Sequence, residues 1–447
     1  MAVYVSQEKD KKTGLNVKKW DFKVFEAPVL GISTKENGRK HIYVFGQKVL
    51  SLKKSKAKGI QPIKGNKSFY AYTQWLDDLK NNKSLFVPLT DKPYQRKQGD
   101  AKIFAYYLSQ FHAIDINDKN YGKGFTEWTN VASATPMYAG HYQPKIPYDL
   151  GFYNLLDIKV IQRQVELAKA YGVYGFCFYY YWFNGQRVLE KPLDLFLNSN
   201  IDFPFHFCWA NENWSKLWDG GDKEVILRQE KTLDAQRFFQ DILPYIKDKR
   251  YEKIDNKPLL MIYNPKMFDK EEMKRFLHAL DELAIQNGFN GFFFMASNAF
   301  SFSEPLEYGF KGIIEFPPHD IHQIKEVSKK VISSSARFSV ISLSDYIKKK
   351  LYCAEKPYLV FKTCFPSWDN TPRKVYSDGF VLDISNEEFA SWLSGNLEWT
   401  KAHNPANQQY VYINAWNEWA EGAILEPTTR YGYRSLQTVK DCLEKTK

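Results

Sequence analysis

The sequence lacks any apolar run of about 18 residues, the length that a helix needs to cross a bilayer. Its first ten residues contain no apolar segment of the kind that secretory signals carry. The five cysteines form an odd set without the spacing of a disulfide framework, in a chain too long to need one. We therefore expect reduced thiols and a cytoplasmic protein.

Acidic residues are scarce near the start of the chain. Residues 1–100 carry 21 Lys and Arg against nine Asp and Glu, so the net charge of +11 belongs almost wholly to this region. A basic appendage on a neutral body is typical of contact with an anionic surface such as lipid head groups. We expect peripheral membrane contact through residues 1–98 and no nucleic-acid partner. The alternative is a Lys-rich face that serves solubility alone.

The overall composition is that of a folded protein with many aromatic residues. Hydrophobic residues make up 44% and charged residues 25% of the chain, which excludes wholesale disorder. The aromatic fraction is 17%, and it includes 12 Trp. Such rings stack against sugars or bases, or they pack together in a large core.

The pattern of apolar runs predicts a barrel. Eight β-rich runs follow one another from residue 101, at 103–112, 173–182, 203–211, 259–263, 291–297, 312–316, 358–365 and 409–415. Helical periodicity separates many of them, at 156–171, 233–249, 270–287 and 385–402. Near-continuous apolar strands indicate parallel pairing with both faces covered. We predict a (β/α)8 barrel over residues 99–447. A doubly wound open sheet is the alternative, but no Gly-rich phosphate loop follows these runs.

The first 98 residues are predicted to form a small basic domain. Residues 20–52 contain short strand-like runs with Asn37-Gly38 as a turn signal, and Phe69–Leu79 has weak helical periodicity. The polar stretch Asp91–Gly99 is expected to be a linker.

In a barrel of this kind the chemistry sits in the segments that follow the strands. Those segments are rich in tryptophan, amides and carboxylates, the side chains that pack on a pyranose and bind its hydroxyls. The predicted substrate-binding residues are His112, Glu127, Trp128, Trp182, Asn184, Trp209, Asn211, Glu212, Trp214, Trp368, Asp369, Asn417 and Trp419. We therefore expect an oligosaccharide or polysaccharide substrate.

The sharpest motif is Asn414-Ala-Trp-Asn-Glu-Trp-Ala-Glu-Gly422, after the last predicted strand. Glu418 and Glu421, three residues apart at the barrel mouth, can point into one cleft. Cleavage of a glycosidic bond requires such a pair, one carboxyl that holds a proton and one that is ionised. The alternative is that one Glu pairs with an arginine and the other is solvated.

This motif, continued through Glu426-Pro427, resembles the last-strand signature of glycoside hydrolase family 99, the endo-α-mannosidases. It is still more similar to the WbsX-type group of bacterial surface-polysaccharide proteins. Further matching segments are Tyr107–His112, Gly124–Asn130, Tyr180–Gly185, Trp209–Trp214 and Trp368–Pro372. The resemblance spans roughly residues 101–440.

The resemblance implies a retaining mechanism on an α-linked sugar, without a metal or another cofactor. Glu418 would deprotonate the 2-hydroxyl of the sugar, which then attacks the anomeric carbon to give a 1,2-anhydro intermediate. Glu421 would protonate the leaving oxygen and then activate water or an alcohol. Ala420 stands where the mannosidases carry His, so their sugar specificity does not transfer to this chain.

Two other functions remain open from the sequence. One is sugar-nucleotide-dependent transfer in lipopolysaccharide biosynthesis, with a lipid-linked acceptor. The absence of two nucleotide-binding half-domains and of an Asp-x-Asp metal clamp disfavours it. The other is a non-catalytic glycan-binding barrel, which the presence of both carboxylates disfavours.

Overall fold

The computed structural model describes residues 85–446, except 139, 217–223, 320, 322–330, 335–337 and 375–378, and five strands within residues 2–52. The chain separates into two compact units, Met1–Thr73 and Gln74–Lys447.

The first unit is an antiparallel sheet in which each strand pairs with the next along the chain. Its strands are Ala2–Lys9, Asn16–Val24, Ala27–Lys35, Lys40–Val44 and Gln47–Leu52. The predicted β-rich character is confirmed, and strands also precede residue 20. The predicted turn Asn37-Gly38 and the predicted helix Phe69–Leu79 lie outside the described residues.

The second unit is a closed barrel of eight parallel strands, as predicted. The barrel strands, numbered one to eight in chain order, are Lys102–Tyr107, Gly175–Phe183, Phe205–Trp209, Lys257–Ile262, Phe293–Ser297, Gly312–Ile314, Leu359–Cys364 and Tyr410–Ile413. Each strand pairs with the next, and the eighth pairs with the first. All of the eight apolar runs in the sequence therefore supply a barrel strand.

Aromatic side chains fill the barrel. The rings of Tyr106 and Phe104 lie 5.5 and 5.8 Å from that of Tyr412. The hydroxyl of Tyr412 lies 2.9 Å from Nε2 of His206, whose pKa burial lowers to about 3. The first residue of strand two, Gly175, lies close to the Phe104 ring. A Cβ at this position would lie 2.4 Å from that ring, so the packing requires glycine. The core is thus packed rather than hollow below the mouth.

Helices cover the outside of the barrel, and some of them begin at side-chain caps. The α-helices are Asp115–Tyr121, Glu127–Ser133, Ile158–Ala170, Lys191–Leu197, Ala235–Lys247, Lys270–Gln286, Pro305–Tyr308, Ser344–Lys348, Asn386–His403 and Arg434–Lys445. Asp157 and Asp234 cap two of them, and Ser385 and Glu388 form a capping box. The four predicted long helices are present within two residues of their predicted ends.

Short strands and turns shape the loops between the barrel strands and the helices. The strands are Gln186–Val188, Trp214–Ser215, Val225–Leu227, Lys253–Ile254, Val331–Ser334, Phe338–Ser342, Trp368–Asp369, Gly379–Asp383, Asn417–Glu418 and Ala423–Ile424. The 3-10 turns are Pro265–Met267, Ala299–Ser301, Leu351–Cys353, Ala406–Gln408 and Trp419–Glu421. Those loops that follow a barrel strand build the site at the carboxyl ends of the strands.

Residues 85–98 pack against the barrel. The Val87 amide donates to the Tyr431 carbonyl at 3.1 Å, and the Tyr94 amide donates to the Ala170 carbonyl at 2.8 Å. The Tyr94 side chain is buried. The predicted domain boundary between residues 98 and 99 stays a prediction.

Candidate active site

A cavity of about 450 Å³ opens at the carboxyl ends of the barrel strands. Strand two and the segments that follow strands three to eight contribute to its lining. The lining residues are Tyr179, Tyr181, Ala210, Glu212, Tyr263, Phe300, Phe316, Pro318, His319, Trp368, Asn370, Arg373, Lys374, Phe380, Glu418 and Glu421. Aromatic faces and carboxylates therefore share one space, which is what a sugar site requires.

Glu418 and Glu421 line this cavity side by side and share one arginine. Nη1 of Arg373 donates to Oε1 of Glu421 at 2.8 Å, and Nη2 donates to Oε2 of Glu418 at 3.3 Å. The same Nη2 also donates to Oε1 of Glu127 at 2.5 Å. The arginine lines the same cavity, so the ion pairs join the two carboxylates within the site rather than removing either of them from it.

Burial raises the pKa of Glu418 well above its ordinary value. The negative charges of Glu421 and Glu127 raise this pKa further, whereas Arg373 lowers it through its charge and its hydrogen bond. Glu418 can therefore hold a proton at a pH at which an ordinary glutamate is ionised.

The loop that carries both carboxylates turns at Gly422. This residue has a φ of 64°, in the left-handed region that favours glycine. A Cβ here would lie 2.6 Å from Nζ of Lys145 and 3.0 Å from Cβ of Asp369. The buried Lys145 donates to the Gly422 carbonyl at 2.7 Å, which fixes the turn directly after Glu421.

Glu426 anchors the same loop from behind. Its Oε1 accepts from the indole of Trp416 at 2.9 Å, and its Oε2 accepts from the indole of Trp419 at 2.6 Å. Gln164 and Tyr153 donate to the same carboxyl. Since Trp416 and Trp419 flank Glu418 in sequence, these bonds fix the backbone on both sides of it.

Two further polar groups line the cavity. Glu212 accepts a long hydrogen bond of 3.4 Å from Nδ2 of Asn264, and burial raises the pKa of its carboxyl. The Tyr263 hydroxyl lies 2.8 Å from Nε2 of His319. These groups can bind sugar hydroxyls as donors and acceptors.

The comparisons with known proteins identify the family. Residues 103–439 match the family described as Glycosyltransferase WbsX. The chain belongs to the WbsX family. The family predicted from the sequence motifs is thus confirmed, and the chain is a member of a family of carbohydrate-active enzymes.

Named relatives agree with this assignment. Two proteins called "Uncharacterized protein WxcX", from two strains of Xanthomonas campestris pv. campestris, are each 34% identical to the chain over 346 residues. The match covers 77% of this chain and 50% of each relative, so the chain spans about half the length of these relatives.

Solved structures with a similar arrangement include a GH99 endo-alpha-mannosidase from Bacteroides thetaiotaomicron. It has a TM-score of 0.46 and 13% identity, and the match covers 78% of this chain and 98% of that one. A protein titled "Glycoside hydrolase-like protein" has a TM-score of 0.47 and 14% identity, with coverages of 81% and 99%.

Four predicted site residues from the WbsX-type motifs line the cavity itself. They are Glu212, Trp368, Glu418 and Glu421. Glu127 reaches the site through Arg373. Asp369 lies behind Trp368, where it accepts hydrogen bonds from His141 at 2.8 Å and Gln143 at 2.6 Å. Although Asp369 is buried, the hydrogen bond and charge of His141 help to lower the pKa of Asp369 to about 2.

Several tryptophans of the WbsX-type motifs lie away from the cavity. The indole of Trp182 donates to Asp241 at 2.7 Å on the helix Ala235–Lys247, and the indole of Trp209 donates to the Trp182 carbonyl at 3.1 Å. Both rings pack between the barrel and its helices against Phe238. Trp214 is buried against the ring of Tyr181, which lines the cavity.

Trp128 packs against Trp419, which lies between Glu418 and Glu421 in the sequence. The two ring centroids are 5.4 Å apart, and the Trp128 indole donates to the Tyr153 carbonyl at 2.7 Å. The two rings support the loop that carries Glu418 and Glu421.

The predicted amides bind the backbone. Oδ1 and Nδ2 of Asn417 pair with the Leu108 amide and carbonyl at 2.8 and 3.0 Å. Asn211 makes the same kind of pair with the backbone of Asn264, at 2.7 and 2.8 Å. Asn184 has a φ of 47° and lines a separate cleft beside the helices Ala235–Lys247 and Lys270–Gln286.

His112 is buried beside the end of strand one. Its Nδ1 donates to the Ser109 carbonyl at 3.0 Å, whereas its Nε2 has no partner among the described residues. Burial lowers the pKa of His112 to about 4, and the positive charge of Lys191 also lowers it. The imidazole is therefore neutral at physiological pH.

The sequence analysis missed Arg373 and the tyrosines of the cavity. Arg373 follows the matching segment Trp368–Pro372 directly, so its position after strand seven was a usable signal. Tyr179 and Tyr181 alternate with the outward Tyr180 and Trp182 along strand two, and this period-two pattern marks the inward residues.

Within the described part of the chain, no group of three His, Cys, Asp or Glu side chains is placed to hold a metal ion. The same residues include no helix that is both long and apolar enough to span a membrane.

Proposed function

We propose that this chain cleaves or transfers glycosidic bonds of a bacterial surface polysaccharide with retention of anomeric configuration. The observation that carries the proposal is the pair Glu418 and Glu421 on one aromatic-lined cavity at the barrel mouth. Membership of the WbsX family supports a glycan substrate.

The proposed first step uses the sugar's own 2-hydroxyl as the nucleophile. The Glu418 carboxylate takes the hydroxyl proton, the oxygen forms a bond to the anomeric carbon, and the bond to the leaving oxygen breaks. Glu421 gives its proton to that oxygen, so the pair as a whole neither gains nor loses a proton. Burial raises the pKa of Glu418, so its ionised carboxylate is a stronger base than that of an ordinary glutamate, and the opposing charge and hydrogen bond of Arg373 favour this ionised form.

In the second step an incoming water or alcohol gives its proton to Glu421 and opens the anhydro ring. The 2-hydroxyl oxygen recovers a proton from Glu418. Water in this position gives hydrolysis, and a sugar hydroxyl gives transfer to an acceptor. The proposed acceptor or substrate is lipid-linked, and the basic residues within 1–98 hold the enzyme at the membrane surface.

The test is an assay on oligosaccharides from the polysaccharide locus, with the anomeric configuration of the first product read by NMR. Glu418→Gln and Glu421→Gln are each expected to lower kcat by at least 10²-fold. The exposed Glu271→Gln serves as the control, because it removes the same charge from a residue that does not line the cavity. Undiminished turnover in either active-site variant contradicts the assignment.

Two outcomes would favour the alternatives. Product that forms only when a sugar nucleotide is supplied indicates nucleotide-dependent transfer. Saturable oligosaccharide binding without product over the whole set of glycans indicates a binding barrel.

A further inference from the structure

Arg373 joins three carboxylates, and these four side chains come from three different loops. Glu127 follows barrel strand one, Arg373 follows strand seven, and Glu418 and Glu421 follow strand eight. The contacts measure 2.5 Å to Glu127, 3.3 Å to Glu418 and 2.8 Å to Glu421. The arginine side chain is 15% exposed and that of Glu127 is 1% exposed, so solvent screens these charges weakly.

The guanidinium is suited to this position because it is planar and presents its donors as a fork. Nη1 and Nη2 each hold one of the paired carboxylates, and this fixes the separation of Glu418 and Glu421. The bond to the almost fully buried Glu127 fixes the arginine itself. Glu127 is in turn positioned by its backbone amide, which donates to the Gln110 carbonyl at 2.9 Å.

We propose that Arg373 is a positioning residue, anchored on Glu127, that holds Glu418 and Glu421 side by side and favours the ionised carboxylate of Glu418. The inference rests on the proposed function, in which Glu418 acts as the base. Without the cation, burial and the negative charges of Glu421 and Glu127 would raise the pKa of Glu418 unopposed, and Glu418 would then be a poor acceptor for the hydroxyl proton.

Other charged and titratable groups also face this cluster. They are Tyr179, Tyr181 and Tyr263 from the barrel strands, and Glu212, His319 and Lys374 from the cavity lining. Burial raises the pKa of each of the three tyrosines well above the ordinary range, so these hydroxyls stay neutral. Arg373 forms direct ion pairs with both Glu418 and Glu421.

The first experiment requires no substrate. The full chain is labelled with 13C at the glutamate carboxyl carbons, and the Glu418 signal is assigned by its loss in Glu418→Gln. Its titration midpoint is then measured in wild type, Arg373→Gln and Arg373→Lys. We expect the midpoint to rise by about one pH unit or more in Arg373→Gln and by less in Arg373→Lys, which keeps the charge but not the fork.

The matched control is Arg275→Gln, which removes another Arg–Glu ion pair, 2.6 Å long, on an outer helix. Its Glu418 midpoint should equal that of wild type. A Glu418 midpoint that stays unchanged in both Arg373 variants overturns the proposal, whatever the activity of the chain. If Arg373→Gln does not fold, Arg373→Lys alone decides the question by the same comparison.

The second experiment measures kcat/KM against pH once a substrate is in hand. The base must be deprotonated, so activity is lost as pH falls through the Glu418 midpoint, and Arg373→Gln should move this limb to higher pH. At a pH below both midpoints the variant should be about tenfold slower, and it should recover part of the loss at higher pH. A loss that is equal at every pH indicates a purely structural role and contradicts the proposal.

Failure of the two proposals is distinguishable. If Arg373 shifts the Glu418 titration but no glycan is turned over, the proposed function fails while the electrostatic role of Arg373 stands. If glycans are cleaved but the Glu418 titration does not change in the Arg373 variants, the proposed function stands and the electrostatic role of Arg373 fails.

Discussion

Gly422 turns the loop that carries Glu418 and Glu421. We expect Gly422→Ala to lower the free energy of unfolding by about 2–4 kcal/mol, because a Cβ would be strained at a φ of 64° and would crowd Lys145 and Asp369. Urea unfolding measures the loss. Activity should fall with it, since the turn follows Glu421.

The control for this prediction is Gly288→Ala. Gly288 also has a positive φ, of 87°, but an added Cβ meets nothing within 4 Å. It should cost only about 1 kcal/mol. Equal losses in the two variants would mean that crowding at Gly422 contributes nothing.

Glu426 gives a second prediction at the residue scale, in the dependence of stability on pH. Burial raises its pKa to about 7, against the hydrogen bonds of its four donors. A carboxyl whose folded pKa is raised stabilises the fold below its unfolded pKa, and this contribution disappears as pH rises through about 7. The stability of wild type relative to Glu426→Gln should therefore fall between about pH 4.5 and 7, by on the order of 3 kcal/mol.

Chemical denaturation at a series of pH values measures this difference. The exposed Glu271→Gln serves as the control, because its side chain is 80% exposed. If the difference for Glu426→Gln instead rises with pH, the donors outweigh burial and the pKa of Glu426 is lowered.

At the scale of a single element, the segment Asn417–Glu418 is joined to the end of strand one. We expect Asn417→Ala to lower the free energy of unfolding by about 2–4 kcal/mol, since it leaves the amide and carbonyl of the buried Leu108 without their side-chain partner. Chemical denaturation of the variant and of wild type measures the change in the free energy of unfolding. The exposed Asn407→Ala, which loses only a contact to Asp255, should change stability by less than about 1 kcal/mol.

Substitution of Asn417 also distinguishes a structural role of this residue from contact with the substrate. Both of its polar groups are used by Leu108, so its removal should lower kcat by displacing Glu418 rather than raise KM alone. A variant with native stability and only a raised KM would show instead that Asn417 contacts the substrate.

Strand two shows which part of the site could be predicted from the sequence and which part could not. Its all-apolar run predicts a buried barrel strand, but in a strand with both faces covered the hydrophobicity is the same on each face. The indole of Trp182 therefore looks like a sugar platform, although it points to the helices, while Tyr179 and Tyr181 line the cavity. Which face is inward depends on the register of barrel closure, a long-range property.

The charged residues of the loops were also predictable only in part from the sequence. Aromatic, amide and carboxylate side chains after the strands were predictable as a sugar site, and Glu418 and Glu421 do line one cavity. Arg373 was not predicted, because its role depends on loops about 245 and 45 residues distant in the chain that meet only in the folded barrel. Spacing within a motif carries no information about such a partner.

The distribution of charge over the whole chain gives the last prediction. Residues 1–100 have a large excess of Lys and Arg, whereas the rest of the chain is nearly neutral. We expect the protein to bind vesicles of phosphatidylcholine with phosphatidylserine more tightly than phosphatidylcholine alone at about 0.1 M salt. Replacing Lys53, Lys54, Lys56 and Lys58 with Gln should weaken this binding at least tenfold, because each lysine near the surface contributes about 1 kcal/mol.

The matched control removes the same charge from the barrel, by replacing the exposed Lys119, Lys123, Lys231 and Lys274 with Gln. Both quadruple variants have the same net charge, so a general electrostatic attraction would weaken equally in the two. A loss confined to the first variant assigns the contact to the basic N-terminal region. Binding that does not weaken as salt increases would exclude a charge-driven contact, since exposed charges are screened within about 10 Å at 0.1 M salt.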